Sequence, residues 1–251
     1  MAIIIISSTT FAVNTDTTPI QFSHVVPSGT ELLLFGYGAV RDGGTVTFSS
    51  VTYNGDALTS KIAKTYVESS AWTSSGLWAL LNPDVGTYNI VGTPSGSCNG
   101  GFVAINLSGV KITSPYGSTH SAAAQGTSID TALTLTKDQI MIGICGFQTN
   151  SGNSASLTSG TAIYNNVGSS NDGFYYHNSS GAWNTGIGVK HCSWTQLSSG
   201  WSAVSLALNA APAGGEPVSI SPFFNFFKNF ENPWMEQGGL WQPNKKGLVT
   251  I

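Results

Sequence analysis

The sequence predicts an all-β chain, folded as an antiparallel sandwich or barrel, with a C-terminal extension of different character. Three observations carry this. Runs of β-branched and aromatic residues of strand length recur from residue 2 to about residue 210, separated by Gly, Pro, Asn and Ser. No long window among them spaces its apolar residues at the 3.6-residue period of a helix. After "NAAPAGGEP" (Asn209 to Pro217) the pattern stops, and an aromatic stretch begins that fits no strand.

The runs follow in order. "AIIIISS", "IQFSHVV", "ELLLFGYGAV" and "TVTFSSVTYNG" come first; "SGLWALLN", "GTYNIVG", "GGFVAINLSGV" and "ALTLT" follow; "QIMIGICGF", "TAIYNN", "GFYYHN" and "WSAVSLALN" complete the series. Asn54-Gly55 is a hairpin signal, because both residues tolerate the positive φ of a two-residue turn. "VPSGT" (Val26 to Thr30) and "NPDVGTY" (Asn82 to Tyr88) read as turns. Leu32-Leu33-Leu34-Phe35 and Ile140-Met141-Ile142 are apolar on both faces, so their strands are central or turn one face to another subunit. Thr113 to Thr131 and Thr149 to Gly186 read as loop-rich, the second carrying Tyr164, Phe174, Tyr175, Tyr176, His177 and Trp183. The domain boundary falls at 211/212, with residues 1–211 the β-domain and 212–251 a linker and arm.

In the arm, Ser221-Pro222 is a helix start and Pro233 its end. At 100° per residue, Phe223, Phe227 and Phe230 share a face that Trp234 extends; Phe226 borders it and Phe224 lies to the other side. A helix this short is marginal alone in water and must dock. Its seat is either its own sandwich or a neighbouring subunit. The Gly-Gly linker before it and the further arm after it, with Trp241, favour the neighbour. One lysine on its polar face is too few for a membrane-surface helix.

Composition excludes several function classes. Only 8% of residues are Asp, Glu, Lys or Arg, against about 25% in ordinary proteins. Solubility then rests on Ser, Thr, Asn and Gly, or other subunits cover much of the surface. Nine cations over 251 residues and a net charge of −3 make no field for nucleic acid. The twelve carboxylates are scattered, with no i, i+2 pair of the kind a concanavalin-type glycanase presents. No H-x-H, H-E-x-x-H, G-x-S-x-G or phosphate-loop pattern appears, and the three cysteines form no C-x-x-C pair. The expectation is no cofactor, no metal and no enzyme. Cys145 reads as a buried thiol and His24 as a core or rim histidine. Tyr175, Tyr176 and Trp183 are the candidates for stacking on a glycan. Without a basic n-region or a long apolar core, "MAIIIISSTT" is not read as a signal peptide, so synthesis in a cytoplasm is expected.

The order "HVVPSGTELLLFGYGAV", "VTFSSVTYNGDALT", "GLWALLNPDVGTYNIV", "GGFVAINLSGV", "WSAVSLALN" resembles a β-sandwich family met in bacteriophage virion proteins and some bacterial surface proteins, over roughly residues 20 to 210. The resemblance implies a jelly-roll-like sandwich serving as a structural or adhesive module. The expectation is therefore a virion accessory protein that decorates a capsid, attached through its arm to other virion proteins (capsid or tail subunits), as a homo-oligomer or in a symmetric array. A tail-fibre or receptor-binding module contacting host glycan, and a polysaccharide depolymerase, are the alternatives.

Overall fold

The computed structural model describes residues 2–13, 19–41, 46–67, 72–96, 99–149, 154–170 and 176–212. The chain divides into two units, Met1–Gly215 and Glu216–Ile251; the second, with the helix expected after Ser221, lies outside the described residues.

Among the described residues every regular element is a β-strand, and all pairings are antiparallel. The strands are β1 (Ile4–Val13), β2 (Ile20–Val26), β3 (Leu32–Arg41), β4 (Phe48–Tyr53), β5 (Asp56–Ala57), β6 (Thr59–Val67), β7 (Trp72–Leu81), β8 (Gly86–Pro94) and β9 (Asn99–Ser108). They continue as β10 (Tyr116–Leu135), β11 (Gln139–Thr149), β12 (Ser156–Ser159), β13 (Thr161–Ser170), β14 (Tyr176–Thr185) and β15 (Gly188–Asn209). Three sheets result: a central one ordered β1-β9-β3-β7-β6, an outer one ordered β2-β8-β4-β5, and a back sheet ordered β10-β15-β11-β14-β13 with β12 on β15.

The inner strands β3 and β9 of the central sheet are buried on both faces, which resolves the run Leu32–Phe35. Leu33, Phe35, Tyr37 and Ala39 of β3 face the outer sheet and pack with Ile20, Phe22, Val51 and Ile90. Leu32 and Leu34, with Val103, Ile105 and Leu107 of β9, face the back sheet and meet Ile140, Ile142, Ile144, Val204, Leu206 and Leu208. Because side chains alternate along a strand, two neighbouring sheets require two apolar sets in one run. Met141, Cys145 and Phe147 of β11 point away from the central sheet into a third cluster with Trp194, Trp201 and Cys192.

That third cluster exists because β10 and β15 are long. Their pairing shifts between Gly126 and Ser128, and the far half of the hairpin curls over the outer face of β11. There Thr131 and Ser205 share a hydrogen bond of 2.7 Å, and a methyl group on Gly143 would lie 2.7 Å from the Cys192 Cβ. β12 pairs with β15 at Thr195 and Trp194, which nearly closes the sheet into a barrel. This corrects the reading of Thr113–Thr131 and Thr149–Gly186 as loop-rich: residues 116–131 belong to β10, and β12, β13 and β14 occupy most of the second stretch. Their small and polar residues misled because β10 is an edge strand with a wet face. Ala122 and Ala124 are its partly buried contacts with the third cluster.

The turns form as their residues dictate. Asn54 and Gly55 take φ of 50° and 89° between β4 and β5, and Gly29 takes 85° in the turn closed by Thr30 N–H to the Pro27 carbonyl.

The central and back sheets form a wedge. At one end glycines bring their backbones into contact: a methyl group on Gly38 would lie 2.7 Å from the Cys145 carbonyl oxygen, and one on Gly101 would lie 2.0 Å from that of Val167. Within the back sheet at this seam, Ser179 donates to the Cys145 carbonyl at 3.0 Å and receives the Tyr164 hydroxyl at 2.6 Å. At the other end leucines and isoleucines hold the sheets apart, nearer the ordinary spacing of about 10 Å. Strand ends Arg41, Asn99, Thr149, Ser170 and Tyr176 gather at the closed end. Leu32, Leu107, Ile140, Thr185 and Leu208 gather at the open one.

Candidate functional site: the root of the C-terminal arm and its groove

The open end holds the place where the β-domain finishes. Asn209 to Ala211 do not fray there. Asn209 N–H donates to the Pro115 carbonyl at 2.9 Å, Ala210 N–H to Asp138 at 2.7 Å, and Ala211 N–H to Gly109 at 2.8 Å; Lys111 N–H donates back to Asn209 at 2.9 Å. The Asn209 side chain accepts from Gln139 Nε2 at 2.7 Å and donates to the Ser114 carbonyl at 2.7 Å. Glu31 fixes the neighbouring turn by accepting from Val110 N–H at 2.7 Å. The last described segment is thus tied to both the central and the back sheets before the chain leaves at Pro212.

Around this root the surface is concave. A cleft of about 630 Å³ lies between Lys111, Lys137 and Asp138 and the departing Ala210–Pro212. It shares Lys137, Asp138 and Ala210 with a cavity of about 490 Å³. That cavity shares Ile3, Ile140 and Trp183 with a third, of about 470 Å³, bounded by Ile5, Ala162 and Ile163. Together they form one groove from the arm's root along β1. Its far part is lined mainly by isoleucine and tryptophan. β1 is an edge strand, bonded to β9 on one side only, and Ile4 on it is 57% exposed.

Of the glycan candidates, Trp183 and the backbone of Tyr176 stand at opposite ends of β14. Trp183 sits half-buried in the groove at the open end, paired with Ile142 and Thr161. Tyr176 begins the same strand at the closed end, paired with Thr149 and Ser170. Seven residues of strand separate them by about 23 Å. Tyr175 and the Tyr176 side chain lie outside the described residues. So do Phe223, Phe224, Phe226, Phe227, Phe230, Trp234 and Trp241.

Two polar clusters escaped the sequence reading. On the far half of the long hairpin, Asp130 accepts from His191 Nδ1 at 3.1 Å and from the Ser193 hydroxyl. His191 and Ser193 alternate on β15, so they share a face, and Asp130 stands opposite Ser193 on β10; the H-x-S spacing was the available signal. The serine hydroxyl is spent on the carboxylate and is not offered to the imidazole, so the arrangement lacks the nucleophile–base hydrogen bond of a catalytic triad. His191 and Asp130 are nearly half exposed, which makes theirs a weak surface pair.

The second cluster locks β1 to β2. Asn106 Nδ2 donates to Ser7 Oγ at 2.9 Å and to the Val25 carbonyl at 2.8 Å. Its oxygen therefore accepts from His24 Nε2–H at 3.1 Å, and His24 Nδ1 accepts from the Thr9 hydroxyl at 3.0 Å. His24 is neutral in this network, and burial holds its pKa below the usual histidine value. Among the described residues no group of three His, Cys, Asp or Glu side chains could hold a metal. No helix among them is long and apolar enough to cross a membrane. No protein-family model, no curated protein and no solved structure matches the chain.

Proposed function

We propose that this chain is a structural accessory protein of a bacteriophage virion, a capsid-decoration module attached to its neighbours by its C-terminal arm. The observation that carries the reading is the root of that arm. An arm that bears load needs a fixed base, and backbone hydrogen bonds from Asn209, Ala210 and Ala211 reach the turns on both sides of β10 and the turn after β9. The arm leaves from the open end, so the closed end is free to face outward when the arm is engaged.

The virion setting rests on the resemblance of the strand-and-turn motifs. The jelly-roll reading gains support from strand order in the first half. β1, β9, β3 and β7 of the central sheet face β2, β8, β4 and β5 of the outer one, and the chain changes sheet at every step from β1 to β4 and from β7 to β9. The arm's part in this reading is the short amphipathic helix capped by Ser221, begun at Pro222 and ended by Pro233, whose phenylalanines fill grooves on a neighbour, and repetition around a shell multiplies each modest contact. The chain is synthesised in the host cytoplasm and acts without a cofactor.

The test is truncation after Gly215. The expected product is a folded β-domain with the unfolding midpoint of the full chain that no longer joins its assembly. A truncated chain that joins normally, or one that unfolds because the arm belongs to its own core, overturns the reading.

A further inference from the structure

We propose that the isoleucine–tryptophan groove beside β1 is the seat of the aromatic segment Pro222–Trp234 brought by a second copy of this chain. The inference rests on the reading of the arm as an attachment device, and it names the surface to which the arm attaches.

Chemistry selects the occupant. The groove offers Ile3, Ile5, Ile140, Ile163 and Trp183 with almost no charge along its far part. Its complement is a ligand with a row of apolar side chains and few ionic groups. This chain carries such a ligand: Phe223, Phe227 and Phe230 recur at helical spacing, with Trp234 beyond them. Place agrees with chemistry. The groove is continuous with the cleft at Ala210–Pro212 from which the arm departs. The nine residues from Ala213 to Ser221 span at most about 30 Å when extended, which is long enough to carry the segment across to an adjoining copy. Each copy then gives one segment and receives one. The exchange closes reciprocally in a two-fold dimer, closes into a ring or extends as an array according to the rotation between copies. Large rigid aromatics suit such a seat, since each buries about 150–250 Å².

The experiment is sedimentation velocity on full-length chains. One variant carries a blocked groove, Ile163→Arg; another carries a blocked segment, Phe227→Asp with Phe230→Asp. Wild type is expected to self-associate, and each variant to associate at least tenfold more weakly. An equimolar mixture of the two is expected to regain pairing, because it holds one intact groove and one intact segment. Trp183→Ala, and competition by a synthetic peptide of residues 217–236, test the groove without the added charge; the peptide is expected to dissociate the wild type and to bind the segment-blocked variant. A monomeric wild type, a groove variant that associates like the wild type, a mixture that does not pair, or a peptide that does not bind overturns the proposal. Seating of the segment in its own chain's groove would show as the monomeric wild type. If truncation after Gly215 prevents assembly while groove variants assemble normally, the arm reading stands and this inference falls. If the peptide binds the groove and the truncated chain still assembles, the inference stands and the arm reading falls.

Discussion

Replacing Gly101 by alanine tests the backbone contact between the central and back sheets. The added methyl group would lie 2.0 Å from the Val167 carbonyl oxygen and 2.9 Å from the Ser179 Cβ. An ordinary carbon–oxygen contact is about 3.3 Å, so the strands must part by more than 1 Å. The obstacle is main chain, which cannot rotate away as a side chain would. Overpacking of this kind costs typically about 1–3 kcal/mol, and a closely held seam belongs at the upper end. The loss of chain entropy in the unfolded state returns about 0.4–1 kcal/mol. The net expectation is a loss of about 2 kcal/mol, or roughly 4–8 °C in Tm for a domain of this size. The assay is urea and thermal unfolding followed by circular dichroism. Gly117→Ala is the comparison, because there the nearest atom, at 2.7 Å, is the side-chain Nε2 of Gln139, which can turn away at the cost of its hydrogen bond to Asn209; it is expected to lose less than Gly101→Ala, about 1 kcal/mol. A Gly101→Ala protein as stable as wild type would show that the two backbones do not touch, and the wedge geometry would be wrong.

Acidification should weaken the fold through His24. Its folded pKa lies below the unfolded value of about 6.5, because burial opposes the charge. The unfolded chain therefore binds the proton first, and stability falls as pH drops below about 6.5. His24→Gln should show a shallower dependence between pH 7.5 and pH 5, and an unchanged slope would refute the linkage. Asn106→Leu removes hydrogen bonds to Ser7, Val25 and His24 at once; we expect a loss of about 2–3 kcal/mol in urea unfolding, and a neutral result would contradict the network. Burial pushes the Cys192 thiol up to about 12 and raises that of Cys145 further. Both should resist an aromatic disulfide reagent at pH 8 until denaturant is added, and labelling of either in the native protein would place it outside the core. Asp130→Asn should cost no more than about 1 kcal/mol, since an exposed pair is screened by water; a larger loss would mean the cluster carries more of the fold than its exposure implies.

The strand content was legible because most core strands announce themselves. Alternation in "IQFSHVV" became the buried-exposed alternation of β2, and Asn54-Gly55 became the tight turn that its backbone freedom requires. Leu32 to Phe35 signalled a strand apolar on both faces, but not what lay on each side. Only the pairing of distant segments shows that one layer is β2, β4 and β8 and the other is β11 and β15. "ALTLT" announced the last part of β10, but residues 116–131 were missed because they are mostly Ser, Ala, Thr, Gly and Gln, and their strand character comes from pairing with β15 rather than from side-chain pattern. The separation of Trp183 from Tyr176 was also hidden, since seven positions in sequence mean little until they are known to lie along one extended strand. The groove joins β1 to residues more than 130 positions away, a juxtaposition that no local spacing encodes.

The inner strands β3 and β9, enclosed on both sides, restrict how such a chain can diversify. A change on β3 or β9 disturbs one of two cores, whichever way the side chain points, so these strands tolerate little novelty. Freedom to vary belongs to the wet faces outside them, such as Gln21, Ser23 and Val25 of β2 and Ser118, Thr119 and Gln125 of β10. A library meant to give this scaffold a new binding specificity would draw its randomised positions from those strands and leave the middle layer alone.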